Sequence, residues 1–80
     1  MLSVSVYYFA ILREQRGLGQ ETLSTTAMTP AALYEELRLL HGFTLPSERV
    51  RAAINDTFVL STTSLREGDR IVFIPPVAGG

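Results

Sequence analysis

Residues Leu2 to Phe9 alternate in polarity, with Leu2, Val4, Val6 and Tyr8 on one side and Ser3, Ser5, Tyr7 and Phe9 on the other. A period of two built from β-branched and aromatic residues predicts a strand with one buried face. Ile11 to Arg16 reads as a short connector, and Gly17 and Gly19 mark a turn. Glu21 to Thr25 is expected to form a second strand, antiparallel to the first. The pattern then changes to a helical period, with Leu33, Leu37 and Leu40 at i, i+4 and i+7. Thr29-Pro30 suits the start of that helix, because the threonine hydroxyl can accept from a free backbone N–H and proline lacks the donor it would otherwise leave unpaired. Gly42 suits its end, at a left-handed position. This is the one long helix the pattern predicts.

Leu45 to Val50 reads as a turn or short helix. Arg51 to Ile54 and Thr57 to Leu60 flank Asn55-Asp56, a hairpin signature. Leu65 to Asp69 holds the turn Glu67-Gly68-Asp69. Arg70 to Ile74 is then an apolar strand that Pro75-Pro76 stops. The first strand precedes the helix and the last follows it, so both can lie parallel at the centre of one sheet. The expected architecture is α+β, a mixed sheet with one main helix packed on one face. Val4, Val6, Tyr8, Leu33, Leu37, Leu40, Ile71 and Phe73 are the expected inward positions. Val72 and Ile74 then point away from the helix. With Phe9 and Phe58 they are expected to form an apolar patch on the uncovered face, the kind of patch that marks a partner contact.

Composition narrows the function classes. The 80 residues fit a single domain, and 46% hydrophobic with 19% charged residues is a globular balance. With no cysteine and one histidine, His41, disulfides, thiolate metal sites, a cysteine nucleophile and a two-histidine metal site are excluded, and no metal is expected. A net charge of −1 with scattered cations argues against nucleic acid or anionic lipid as a partner. No apolar run spans a bilayer and the N-terminus does not read as a signal peptide, which fits a cytoplasmic protein. All seven cations are arginine. Coding bias or a warm habitat is the plain explanation; a functional one is that no side-chain amine is available to attack an activated terminus.

No conventional active site emerges. Glu35-Glu36 are adjacent on a helix and diverge, so they read as a solvated face. Ser61-Thr62-Thr63-Ser64 reads as a polar loop. His41, in the last helical turn, suits the negative end of the helix dipole as an imidazolium. Gly17-Leu18-Gly19 lacks the spacing and context of a phosphate loop. What remains is Pro75-Pro76-Val77-Ala78-Gly79-Gly80. Two prolines favour a stiff, extended exit, and six residues at about 3.3 Å each reach roughly 20 Å. Gly79 and Gly80 carry no side chain, so they can thread a narrow channel in another protein. The domain is therefore expected over 1–74, with 75–80 as a flexible C-terminal diglycine tail. Its functional group is the Gly80 carboxylate, a poor electrophile that needs activation, for example as an acyl-adenylate. Attack by a sulfur donor then leaves a thiocarboxylate. Without cysteine, a sulfur-carrying role has only the terminus as its handle.

Val6-Tyr7-Tyr8-Phe9-Ala10-Ile11-Leu12-Arg13-Glu14, Ala53-Ile54-Asn55 and Gly68-Asp69-Arg70-Ile71-Val72-Phe73-Ile74-Pro75-Pro76-Val77-Ala78-Gly79-Gly80 resemble the small, sulfur-carrier subunits of molybdopterin synthase across essentially the whole chain. Ala78 departs mildly, standing where serine or threonine is common. The resemblance implies a ubiquitin-like β-grasp fold. It also implies adenylation of Gly80 by an adenylyltransferase related to those that activate ubiquitin, with transient AMP as the only nucleotide and no cofactor bound. Thiocarboxylation then follows with a sulfur donor protein. The tail is expected to enter the large synthase subunit and donate sulfur to cyclic pyranopterin monophosphate, forming the molybdopterin dithiolene of molybdenum cofactor biosynthesis. Two small subunits flank a dimer of large ones in that family, and the chain has no active site of its own. Two alternatives stay open: a sulfur carrier for thiamine or tRNA thiolation or for protein conjugation, and a non-catalytic β-grasp interaction module.

Overall fold

The computed structural model describes residues 1–76. The elements run β1 (Leu2–Tyr8), α1 (Ala10–Arg16), β2 (Gln20–Thr25), α2 (Pro30–His41), a 3₁₀ turn (Ser47–Arg49), β3 (Arg51–Ile54), β4 (Thr57–Val59) and β5 (Arg70–Ile74). They form one five-stranded sheet in the order β2-β1-β5-β3-β4. β1 and β2 pair antiparallel, with Val4 opposite Leu23. β1 and β5 run parallel, with Val6 opposite Ile71 and Tyr8 opposite Phe73. β3 pairs antiparallel with both β4 and β5. The crossover through α2 is what lets the first and last strands lie side by side in parallel. This is the expected β-grasp.

Local chemistry explains the main elements. The Thr29 hydroxyl accepts from the Ala32 N–H at 3.2 Å, and Pro30 occupies the first turn of α2. Gly42 ends that helix with φ 73°, and its N–H donates to the Arg38 carbonyl at 2.8 Å. Asn55 and Asp56 both take positive φ, 50° and 74°, the geometry of a two-residue hairpin turn.

The core lies between the sheet and α2. Val4, Val6, Tyr8, Leu33, Leu37, Ile71 and Phe73 are all buried, as the alternation predicts. Leu40 is the correction: it is 71% exposed. Tyr34, absent from the expected stripe, is buried instead and packs edge-on against Phe73 at 5.3 Å. At 100° per residue, burying Pro30, Leu33, Tyr34 and Leu37 together puts the centre of the buried face ~70° from Leu40, in the last turn, where it faces water. Phe43, just past Gly42, closes that end of the core against Tyr8 and Tyr34.

A second correction concerns 11–16, expected as a connector. Residues 10–16 form a helix, α1, which buries Leu12 and ends at Gly17 with φ 83°. Its first residue, Ala10, is left-handed with φ 51°, and no side chain caps its start. The helix is held from outside: the Arg16 guanidinium grips the Glu21 carboxylate through two 2.8 Å hydrogen bonds, and the Tyr8 hydroxyl donates to the same carboxylate at 2.6 Å. α1 matters because its N-terminal residues border the point where the chain leaves the sheet.

Candidate functional site: the outer sheet face and the chain exit

The face of the sheet turned away from α2 carries a continuous apolar row. Strand register sets Tyr7 beside Val72, Val72 beside Ala53 and Ala53 beside Phe58, all on that face. One row further along, Ile74 lies opposite Arg51. Phe9 and Phe58 are 52% and 56% exposed, too much for a finished core and enough to offer large rings to another surface. Val72 and Ile74 are half-buried. The four expected patch residues thus share one face, and Tyr7 and Ala53 complete the row between them.

This face runs into an open groove where the chain exits. Phe9, Ala10, Ile11, Leu45, Ile74, Pro75 and Pro76 line a groove of about 560 Å³, wide enough to take a partner side chain. Phe9 belongs both to this groove and to the depression formed with Tyr7 and Val72, so the two surfaces are continuous. Its position is set by Ala10. The left-handed turn there ends β1 and starts α1, leaving Phe9 extended at φ −126° and ψ 153°. Pro75 is buried and Pro76 exposed, so the chain emerges between them. The expected tail residues Val77, Ala78, Gly79 and Gly80 lie outside the described residues.

The other candidate groups are structural. Glu35 binds Arg38 at 2.6 Å, which holds its carboxyl below the usual range, whereas Glu36 accepts from the Thr25 hydroxyl at 3.1 Å. The two carboxylates face different partners, as expected of helix neighbours. Ser61 sits in a turn whose carbonyl accepts from the Ala31 N–H at 3.0 Å, consistent with a structural polar loop. Gly17 closes α1 through its N–H to the Arg13 carbonyl at 2.9 Å. His41 departs from expectation: burial lowers its pKa, the Arg16 charge lowers it further, and the ring packs 5.9 Å from Phe43. Desolvation and the Arg16 cation outweigh the opposing charge of Glu21, so the imidazolium is not favoured. Glu21 has the opposite fate. Arg16 and the Tyr8 hydroxyl hold its carboxyl at about 2 against the desolvation that opposes them. Among the described residues no three His, Asp or Glu side chains gather as a metal site, and no helix is long and apolar enough to cross a membrane.

The sequence model of the ThiS family matches residues 6–80. The chain belongs to the ThiS family. It is similar to the molybdopterin synthase sulfur carrier subunit of Escherichia coli, 30% identical over 80 residues, covering 96% of this chain and 99% of that protein. Among solved structures it resembles the small archaeal modifier protein 1 of Methanosarcina acetivorans, with a TM-score of 0.78 and 25% identity over 100% of this chain and 98% of that one. It also resembles a chain in the complex of subunits 1 and 2 of the molybdopterin-converting factor from Helicobacter pylori, with a TM-score of 0.67 and 25% identity over 99% of this chain and 100% of that one. The family match begins at residue 6 and the curated relative covers 96% of the chain, so β5 and the residues after it fall within the family match.

Proposed function

We propose that the chain is the sulfur carrier subunit of a molybdopterin synthase. The observation that carries the reading is the near-full-length identity to a sulfur carrier subunit of that enzyme. An apolar sheet face continuous with the exit at Pro75-Pro76 supports it. The working group is the Gly80 carboxylate. An activating adenylyltransferase joins it to the α-phosphate of ATP, releasing pyrophosphate. A sulfide equivalent then displaces AMP and leaves a thiocarboxylate. Inside the large subunit the thiocarboxylate sulfur displaces an oxygen from an electrophilic carbon of cyclic pyranopterin monophosphate, and that oxygen leaves as water after protonation. A second water then hydrolyses the acyl–sulfur bond, restoring the Gly80 carboxylate and leaving the sulfur on the pterin. Two such deliveries complete one dithiolene, in keeping with two small subunits on a dimer of large ones.

The division of labour follows from the chemistry. Residues 1–74 supply recognition, 75–78 supply reach, and Gly79-Gly80 supply a terminus slim enough for a narrow channel. Phe9, Phe58, Val72 and Ile74 dock on the large subunit and fix where the tail enters. The complex of subunits 1 and 2 in the Helicobacter pylori relative supports such a partner.

Intact mass spectrometry after incubation with the cognate adenylyltransferase, ATP and sulfide tests the reading. One oxygen of the Gly80 carboxylate is expected to be replaced by sulfur. Deleting Gly80, or extending the chain beyond it, abolishes the exchange and leaves thermal stability unchanged. An unmodified mass under conditions that convert a known carrier overturns the proposal. So does synthase activity from a chain extended past Gly80.

A further inference from the structure

The outer face is apolar but not neutral. At the outward positions of β1, β5, β3 and β4, the charged side chains are Arg51 and Arg70, with no carboxylate among them. Arg70 is already matched, because its guanidinium binds Asp56 in the hairpin turn at 2.8 Å. Arg51 takes part in none of the ion pairs among the described residues. Its guanidinium carbon instead stands 4.5 Å from the centre of the Phe58 ring. It also lies opposite Ile74, the last residue of β5 before the exit prolines.

That placement has a physical consequence. A protein that covers Phe58 must also cover the guanidinium stacked on it. Stacking on the ring leaves the N–H edge free, and a buried cation with an empty N–H edge is costly. A carboxylate meets the planar fork of donors in two parallel charge-assisted hydrogen bonds, which a serine or amide cannot match. We infer that Arg51 is a specificity-determining residue of the docking face, and that the large subunit presents an Asp or Glu carboxylate to it beside an apolar surface. The pair selects the cognate large subunit and fixes its register next to the tail exit. This inference rests on the docking role proposed above.

Titration of the purified cognate large subunit with wild type, Arg51→Met, Arg51→Glu and Phe58→Asp, at about 50 mM and about 500 mM salt, separates the two ideas. Methionine keeps an unbranched apolar stem over Phe58 and removes only the charge. Kd is expected to rise about tenfold for Arg51→Met and about a hundredfold for Arg51→Glu at low salt, with both losses shrinking at high salt. The Phe58→Asp loss persists at both. Arg51→Glu binding within twofold of wild type, or more tightly, while Phe58→Asp fails to bind, overturns the carboxylate partner and leaves the docking face standing. If Phe58→Asp folds and binds like wild type, both ideas fall.

Discussion

Replacing Glu21 by glutamine tests what holds α1, and with it the Phe9 side of the exit groove, onto the sheet. In the native chain the carboxylate accepts two hydrogen bonds from Arg16 and one from Tyr8, at 2.6–2.8 Å. Its pKa falls from 4.5 to about 2. A carboxyl whose folded pKa is depressed contributes stability that is fully present above 4.5 and disappears as pH falls through 2. Converting the full depression gives roughly 3 kcal/mol; the pair retains some exposure, 23% for the Arg16 side chain and 17% for Glu21, which brings the expected value to about 2 kcal/mol. Glutamine preserves shape but removes the titrating charge. Urea denaturation of both proteins at pH 7, 4.5, 3 and 2 isolates this one group, since the remaining carboxyls cancel in the difference. The wild type is expected to lead by about 2 kcal/mol at pH 7 and 4.5, with the lead closing towards zero at pH 2. A lead that stays constant from pH 7 to pH 2 refutes the assignment, because it would come from packing and not from ionisation.

Two further outcomes follow from the site. Phe58→Asp or Ile74→Asp leaves the fold intact, since neither residue is in the sealed core, but weakens binding to the large subunit; covering the exposed half of the Phe58 ring is worth about 1 kcal/mol and desolvating the new carboxylate costs about 1–2 more, together ~50-fold in Kd. Unchanged co-purification of either folded variant with that subunit removes the face from the docking account. Ala10→Gly relieves the left-handed alanine and is expected to raise the midpoint of thermal unfolding slightly, whereas Ala10→Val costs about 1–2 kcal/mol, both read by calorimetry. A destabilised glycine variant contradicts the strain attributed to that position.

Much of this fold is written in short-range pattern. The alternation of Leu2 to Phe9 assigns every side chain of β1 to its observed face. Thr29-Pro30 and Gly42 bracket α2 because capping is a local contest for backbone hydrogen bonds. Asn55-Asp56 marks the hairpin because those residues tolerate left-handed angles. α1 escapes such reading. It buries one large residue, starts at a left-handed alanine without a cap, and owes its place to the grip of Arg16 on Glu21, a residue of the next strand. Leu40 misleads for a related reason. A stripe of leucines shows the buried side only to within the width that a neighbouring aromatic can claim, and Tyr34 claims it. At the candidate site, Phe9, Phe58, Val72 and Ile74 are legible because strand parity and hairpin position suffice to place them. The Arg51–Phe58 stack is not, since it depends on diagonal reach across the β3–β4 pair, which alternation does not encode.

The parallel pairing of β1 with β5 has a practical meaning for anyone handling this molecule. Because both strands point the same way, the chain begins at the pole opposite the one from which the prolines depart, and Met1 stands 85% exposed there. A purification handle or fluorophore attached before Met1 therefore projects away from the groove and the sheet's docking end. Under the sulfur-carrier proposal the same addition after Gly80 blocks the carboxylate on which that chemistry depends, so the handle before Met1 is the one that keeps the proposed exchange measurable.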